Sequence, residues 1–396
     1  MSLVLVFAVT LLVAVLVSEL AERSVLSTAV LFLISGFLVG RGAFGSPPIG
    51  HPLVVERFAE LALFSVLFTD GMRLSLGGLK RNWVLPTRAL VRGMPLTIAG
   101  IAFAAKYIAN MSWAHAFLLG AALSPTDPVF VASIFGIKEV PERVKHLLNV
   151  ESGINDGLAL PIVLIMLSIS GSNGQSGWTI MEEMVLGVAI GIVVPWIAIK
   201  LESSRFFAAA GRFQPLNAFA IGMIVLGLSY TLNANSFLGA FAAGVTVNTL
   251  SPAVRDSFND FGELVAELLK LAALLVFAML IAPDVFARLG WREIAFVVVA
   301  VFVVRLVVFQ IALAPSDLSP REKNIAGWFG PKGFASVVYG YMILNGGFPE
   351  APHLAHLIAI AITLSIIVYS STDILVARWL KKHSGEVQHA VEEQRA

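Results

Sequence analysis

Apolar stretches long enough to cross a bilayer recur along the whole chain, broken at prolines, glycines and clusters of charge. A crossing helix needs roughly 20 mostly apolar residues. The breaks divide the sequence into thirteen such segments, at 3–19, 25–41, 56–76, 84–108, 113–136, 145–170, 179–200, 215–232, 235–249, 260–282, 292–314, 322–345 and 352–379. The pattern predicts an all-α polytopic membrane protein, with 1–380 as one transmembrane unit and 381–396 as a short charged tail. The first segment resembles a secretory signal in length. However, no basic region precedes it, and Ser-Glu-Leu-Ala-Glu-Arg follows it in place of a small-residue cleavage site, so it is read as a span.

Composition leaves no room for a soluble domain. Of 396 residues, 57% are hydrophobic and 13% charged, against about 25% charged in soluble proteins. A net charge of +1 gives no general attraction to nucleic acid. The absence of cysteine excludes disulfides, thiol chemistry and cysteine metal sites, and the seven histidines show no metal spacing. The charge on the connections alternates. One set holds seventeen Lys and Arg: Arg23, Arg73, Lys80, Arg81, Arg88, Lys138, Arg143, Lys145, Lys200, Arg205, Arg212, Arg255, Arg321, Lys323, Arg378, Lys381 and Lys382. The other set holds five: Arg41, Arg57, Lys106, Arg288 and Arg292. The positive-inside rule makes the first set cytoplasmic, so the N-terminus is expected outside and the C-terminus inside. Trp113, Trp178, Trp291 and Trp379 fit anchors at the membrane interfaces.

Ionisable residues within the spans are few: Asp70, Asp127, Glu151, Asp156, Lys270, Arg305 and Lys332. At the bilayer centre such groups are costly and mark function by default. Span 5 reads Ala-Leu-Ser-Pro-Thr-Asp-Pro-Val-Phe, with Pro125 and Pro128 around Thr126 and Asp127. Each proline removes a donor and clashes with the preceding turn, so the helix is expected to break there. Non-helical backbone survives at this depth only inside protein or beside water. Span 6 reads Glu-Ser-Gly-Ile-Asn-Asp-Gly. Helical spacing sets Ser152 and Asp156 on one face and Glu151 and Asn155 beside them. Two oxygen-bearing neighbours and a carboxylate suit a hard monovalent cation, and the same carboxylate can carry a proton. Span 12 contains Gly-Trp-Phe-Gly-Pro-Lys-Gly, a second break with Lys332 inside it. Spans 4–6 and 11–13 are then two triplets with broken middle helices. Their offset of seven spans inverts one relative to the other, a transporter architecture. Lys270 is expected to pair locally with Glu263 and Glu267.

At Ser-Pro-Thr-Asp-Pro-Val and Glu-Ser-Gly-Ile-Asn-Asp-Gly the chain resembles the monovalent cation:proton antiporter superfamily, in its Asn-Asp branch of electroneutral sodium/proton antiporters. The resemblance runs through all the spans. It implies an inner-membrane homodimer with a moving core from spans 4–6 and 11–13 (about 84–170 and 292–379). The scaffold and dimer part would come from about 1–76 and 179–282. It implies that Asp156 binds both ion and proton, with Thr126, Asp127 and Ser152 completing a sodium site, Asn155 beside it and Asp70 helping to shape it. It implies a structural pair between Glu151 and Arg305, and it places Lys332 where the family carries Arg. Sodium or lithium, with potassium as the rival, would be exchanged one for one against protons, and no cofactor is expected. Two other classes stand against this reading. An intramembrane aspartyl protease would use Asp127 and Asp156 as a dyad, but lacks its Tyr-Asp and Gly-Leu-Gly-Asp signatures here. A channel needs no titratable carboxylate beside an asparagine.

Overall fold

The computed structural model describes residues 3–17, 28–40, 52–73, 83–127, 140–171, 177–202, 213–280 and 290–369. Pro128, Trp379, the tail, and many of the loop cations behind the expected orientation (Arg23, Arg41, Lys80, Arg81, Lys138, Arg205, Arg212, Arg288, Arg378) lie outside the described residues.

Within a bilayer the backbone must satisfy its own hydrogen bonds, which leaves helices as the solution for these apolar segments. Among the described residues the chain is entirely helical: α1 (Leu3–Leu16), α2 (Thr28–Val39), α3 (Pro52–Arg73), α4 (Val84–Tyr107), α5 (Trp113–Leu123), α6 (Glu142–Ser170), α7 (Gly177–Glu202), α8 (Gln214–Thr231), α9 (Ser236–Leu250), α10 (Pro252–Leu280), α11 (Trp291–Ala312), α12 (Pro320–Trp328), α13 (Phe334–Leu344) and α14 (Ala351–Tyr369). Each predicted span overlaps a helix among the described residues, span 5 only over its first half and span 12 with two, α12 and α13. Five helices, α4, α6, α7, α11 and α14, are each long and apolar enough to cross a membrane alone. Span 10 differs from expectation at its start. It begins at Pro252, directly after α9, and the two helices meet at 118°.

Polar residues set several helix starts. Ser112 caps α5 by accepting from His115 N–H, Asn235 caps α9 by accepting from Leu238 N–H, and Ser319 and Glu322 form a reciprocal capping box at α12. Packing falls into two sets. In one, α3 and α7 pack on α9, and α2, α3 and α8 pack on α10. In the other, α4 packs on α5, α5 on α6, and α11 on α12 and α4. Tyr369 of α14 packs its ring against Phe302 of α11 and Trp328 of α12. The sets meet where α3, α9 and α10 touch α6 and α13. The first helix of each triplet carries a π-turn, Ala89–Gly93 in α4 and Val299–Val303 in α11. This is a structural echo of the inverted repeat that sequence identity leaves faint.

Candidate ion-binding site at the crossing of two broken helices

Both breaks occur where the prolines and glycines require them. α5 ends at Leu123, and Ser124 to Asp127 continue without helical structure. α12 ends at Trp328, and Phe329 to Gly333 run non-helically until α13 starts at Phe334. The breaks cross. Asp127 N–H donates to Pro331 O at 3.0 Å, Phe334 N–H donates to Asp127 Oδ2 at 3.5 Å, and Ser336 Oγ donates to Ala122 O at 2.7 Å. The Asp127 carboxylate thus meets the positive N-terminal end of α13. A Cβ on Gly333 would collide with Asp127, and one on Gly330 with the Arg305 guanidinium. The glycines of Gly-Pro-Lys-Gly are therefore demanded by close approach.

Beside the crossing runs α6. Asp156 is fourteen residues into it, about 21 Å along the axis at 1.5 Å per residue, which is near the middle of the helix. One hydrogen-bonded network joins four of the predicted residues to Arg305. Thr126 Oγ1 and Ser152 Oγ are 3.1 Å apart. Asn155 Nδ2 donates to Thr126 Oγ1 at 2.8 Å and to Glu151 Oε1 at 3.1 Å. Arg305 grips Glu151 with two bonds, of 3.0 and 2.8 Å, and lies 4.0 Å from the Phe309 ring centroid. The fork of Arg suits this bidentate hold. Asn155 Oδ1 is buried and has no hydrogen-bond partner among the described residues. An orphaned buried acceptor is costly unless something fills the place.

The other predicted residues sit around this network. Asp156 is buried, and Tyr339 of α13 donates its hydroxyl to the Asp156 backbone carbonyl at 2.7 Å. Asp127 faces α13 and Lys270, whose Nζ is 4.0 Å from Asp127 Oδ2. The expected local pairing of Lys270 is corrected for Glu263, which is taken by Arg73 at 2.9 Å; Glu267 still acts on Lys270, whose ammonium also reaches across to the crossing. Asp70 is 3.6 Å from Arg73 and lines a separate cavity of about 460 Å³ with Glu263, Glu267 and Lys270. Lys332 is completely buried. Its backbone N–H donates to Ser365 Oγ at 2.7 Å, its Nζ has no hydrogen-bond partner among the described residues, and Arg305 and Glu151 are its electrostatic neighbours. Tyr339, Ser336 and Ser365 were not singled out from the sequence. Isolated hydroxyls in otherwise apolar spans are the signal that could have found them.

A polytopic helical protein whose two broken helices cross beside buried carboxylates has the architecture of a secondary transporter. Residues 7–379 match the family described as sodium/hydrogen exchanger, transmembrane, and the chain belongs to that family. It is 26% identical over 398 residues to the K(+)/H(+) antiporter NhaP of Alkalimonas amylolytica, covering 97% of this chain and 68% of the relative. Identity to the K(+)/H(+) antiporter NhaP2 of Shewanella sp. (strain MR-4) is 22% over 385 residues, covering 95% and 67%. Identity to the low-affinity Na(+)/H(+) antiporter NhaS1 of a Synechocystis strain is 27% over 306 residues, covering 71% and 57%. The solved structure of the sodium proton antiporter MjNhaP1 from Methanocaldococcus jannaschii shares the fold, with a TM-score of 0.78 at 15% identity over 96% of this chain and 97% of that one. These are transporters and not enzymes, and the protease reading of Asp127 and Asp156 is set aside.

Proposed function

We propose that this chain exchanges sodium for protons by alternating access, one for one, with the two ions competing for Asp156. The observation that carries the reading is how buried charge is paired. Among the described residues the buried carboxylates are Asp70, Asp127, Glu151, Asp156 and Glu322. Arg73, Lys270, Arg305 and Arg143 stand within 4.0 Å of the other four, whereas among the described residues no cation comes that close to Asp156, which Lys270 reaches only at longer range. A buried charge needs compensation, and a mobile cation or a proton supplies it here. Thr126, Ser152 and the free Asn155 Oδ1 add neutral oxygens of the kind hard cations take. Asp127 and Asp70 set the field around the site, since both lie within electrostatic reach of Asp156.

The same reading covers the assembly. The core comprises about 84–170 and 292–379, and the scaffold about 1–76 and 179–282. The division is supported by the two packing sets and by the few helices that join them. The scaffold pairs two copies, supported by α7, whose apolar window is only 22% buried within one chain. The protein lies in the cytoplasmic membrane of the cell, N-terminus outside, on the strength of the loop charges. The carboxylate carries both ions, so no cofactor enters the cycle.

The test is sodium-driven proton flux in proteoliposomes. Wild-type protein should show it, and Asp156→Asn should abolish it while leaving the protein folded. Near wild-type flux in that mutant would sink the assignment. A second reading, potassium for protons through the same site, is favoured by the names of the NhaP and NhaP2 relatives. Comparing the apparent KM for sodium, lithium and potassium in the same vesicles decides between them.

A further inference from the structure

We propose that Lys270 is the coupling residue of the exchanger: its ammonium holds the ion-free core to the scaffold through Asp127 and releases it when the site is filled. The inference rests on the exchange reading above and adds to it the reason an empty core does not return.

The geometry is that of a bridge between the two packing sets. Lys270 projects from α10, which packs on α2, α3 and α8, whereas Asp127 belongs to the crossing that packs with the other set. The ammonium is 4.0 Å from Asp127 Oδ2, with side-chain exposures of 15% and 5%. Lys270 lines two spaces at once. On one side is the cavity of about 460 Å³ that holds Asp70, Arg73, Glu263 and Glu267. On the other is a small cavity of about 20 Å³ against the crossing, walled by Asp127, Leu274, Phe334 and Val337. The carboxylates acting on Lys270 are Asp127, Asp70, Glu267 and Asp156, so it faces the ion site from its scaffold side. The other cation of the larger cavity, Arg73, is already engaged with Glu263.

Sliding the core along α10 parts the ammonium from Asp127, while Glu267 and Asp70 of the scaffold stay beside Lys270. With the site empty, that separation takes from the carboxylates of the crossing the cation they face, which opposes the movement. A cation lodged between Asp156 and Asp127 repels the ammonium and takes over its role, and a proton on the site removes the negative charge that draws it in. Only a loaded core is then free to move. The step this forbids is return of the empty core, which would turn an exchanger into a sodium leak.

The experiment uses the full chain in proteoliposomes, comparing Lys270→Gln and Lys270→Arg with wild type. Radioactive sodium efflux and proton entry are measured together, with and without an imposed potassium–valinomycin potential. Wild type and Lys270→Arg should exchange one for one. Lys270→Gln should leak sodium without a returning proton, about tenfold or more above wild type given the strength of a pair of unit charges at ~4 Å, and the leak should follow the potential. One-for-one exchange by Lys270→Gln, with no potential-driven efflux, overturns the proposal. If Lys270→Gln does not assemble, a Leu274→Cys/Val337→Cys pair in this cysteine-free chain keeps Lys270 and reads the same contact. Its disulfide should form several-fold faster without ions than in saturating sodium, and equal rates overturn the proposal. Wild-type protein without sodium-driven flux refutes the exchange reading itself, whereas intact wild-type exchange beside an unaltered Lys270→Gln refutes the coupling role alone.

Discussion

Replacing Glu151 with glutamine keeps the side chain's size and removes one charge from the buried network. Removing one member of a buried ion pair commonly costs about 3–5 kcal/mol, because the other is left uncompensated. The surroundings of Glu151 and Arg305 make the two single neutralisations unequal. In Glu151→Gln, the amide oxygen can still accept one bond from Arg305, beside its 3.5 Å contact to Phe329 O and the Phe309 ring, but the balancing negative charge is gone, and Lys332 loses the carboxylate that offsets it. Two buried cations then face each other, which points to the upper end, about 5 kcal/mol. In Arg305→Gln, Glu151 still accepts from Asn155 Nδ2 and lies within reach of Lys332. That points to the lower end, about 3 kcal/mol. Thermal unfolding in detergent, followed by size exclusion, should rank wild type above Arg305→Gln and Arg305→Gln above Glu151→Gln. The double neutral variant should recover part of the loss, leaving Lys332 as the residual cost. Strictly additive losses, or a larger loss for Arg305→Gln, would refute this account of the pairing.

Asn155→Ala should raise the apparent KM for sodium about tenfold, because Thr126 and Glu151 lose a shared donor and the site loses an oxygen, at about 1–3 kcal/mol of stability; sodium titration of proton flux checks it. Gly333→Ala should prevent assembly of the crossing, since its Cβ collides with Asp127, and should appear as a loss of monodisperse protein on purification. The apparent KM for sodium should rise as pH falls, through competition at Asp156, and turnover should fall at high pH, where the return step lacks its proton. Rates measured across pH at several sodium concentrations check both limbs. A low-pH inhibition that excess sodium does not relieve would argue against a shared site.

How much of this was legible in the sequence depended on whether the cause was local. The broken helices were legible because proline and glycine act on their own backbone: Pro125 and Gly330-Pro331-Lys332-Gly333 mark the breaks without reference to anything distant. The polar face of α6 was legible because helical spacing alone puts Ser152, Asn155 and Asp156 together. Glu151 with Arg305, 154 residues apart, came from the resemblance and not from spacing; the two side chains stand 2.8 Å apart. Lys270 was misplaced for the opposite reason. Its near neighbours in sequence, Glu263 and Glu267, offered an obvious pairing. The competitor for Glu263, Arg73, is on a different helix, and Asp127, which Lys270 reaches, lies in the non-helical break after α5. The start of α10 at Pro252 was missed because its first turns mix Arg255, Asp256, Ser257 and Asn259 with apolar residues, and averaged hydropathy does not register an amphipathic helix.

The pairing of buried charge also accounts for why exchange should be neutral. Glu151 and Arg305 are locked by two hydrogen bonds, and Arg stays protonated at any relevant pH, so this pair carries the same charge in every state of the cycle. Asn155, where a second carboxylate would add another exchangeable charge, is instead a neutral tie between Thr126 and Glu151. On the reading proposed above, Asp156 is then the group whose occupant changes, taking either one sodium or one proton. The core therefore crosses with the same charge in both directions, and a membrane potential does no net work on the cycle. Lys332 is where that argument can fail. It is a fully buried ammonium without a hydrogen-bond partner among the described residues, beside a guanidinium that repels it. Unlike an Arg, a buried Lys can give up its proton. If a potential imposed on sodium-loaded proteoliposomes drives uptake, Lys332 is the first residue to neutralise, and Lys332→Arg should restore neutral exchange.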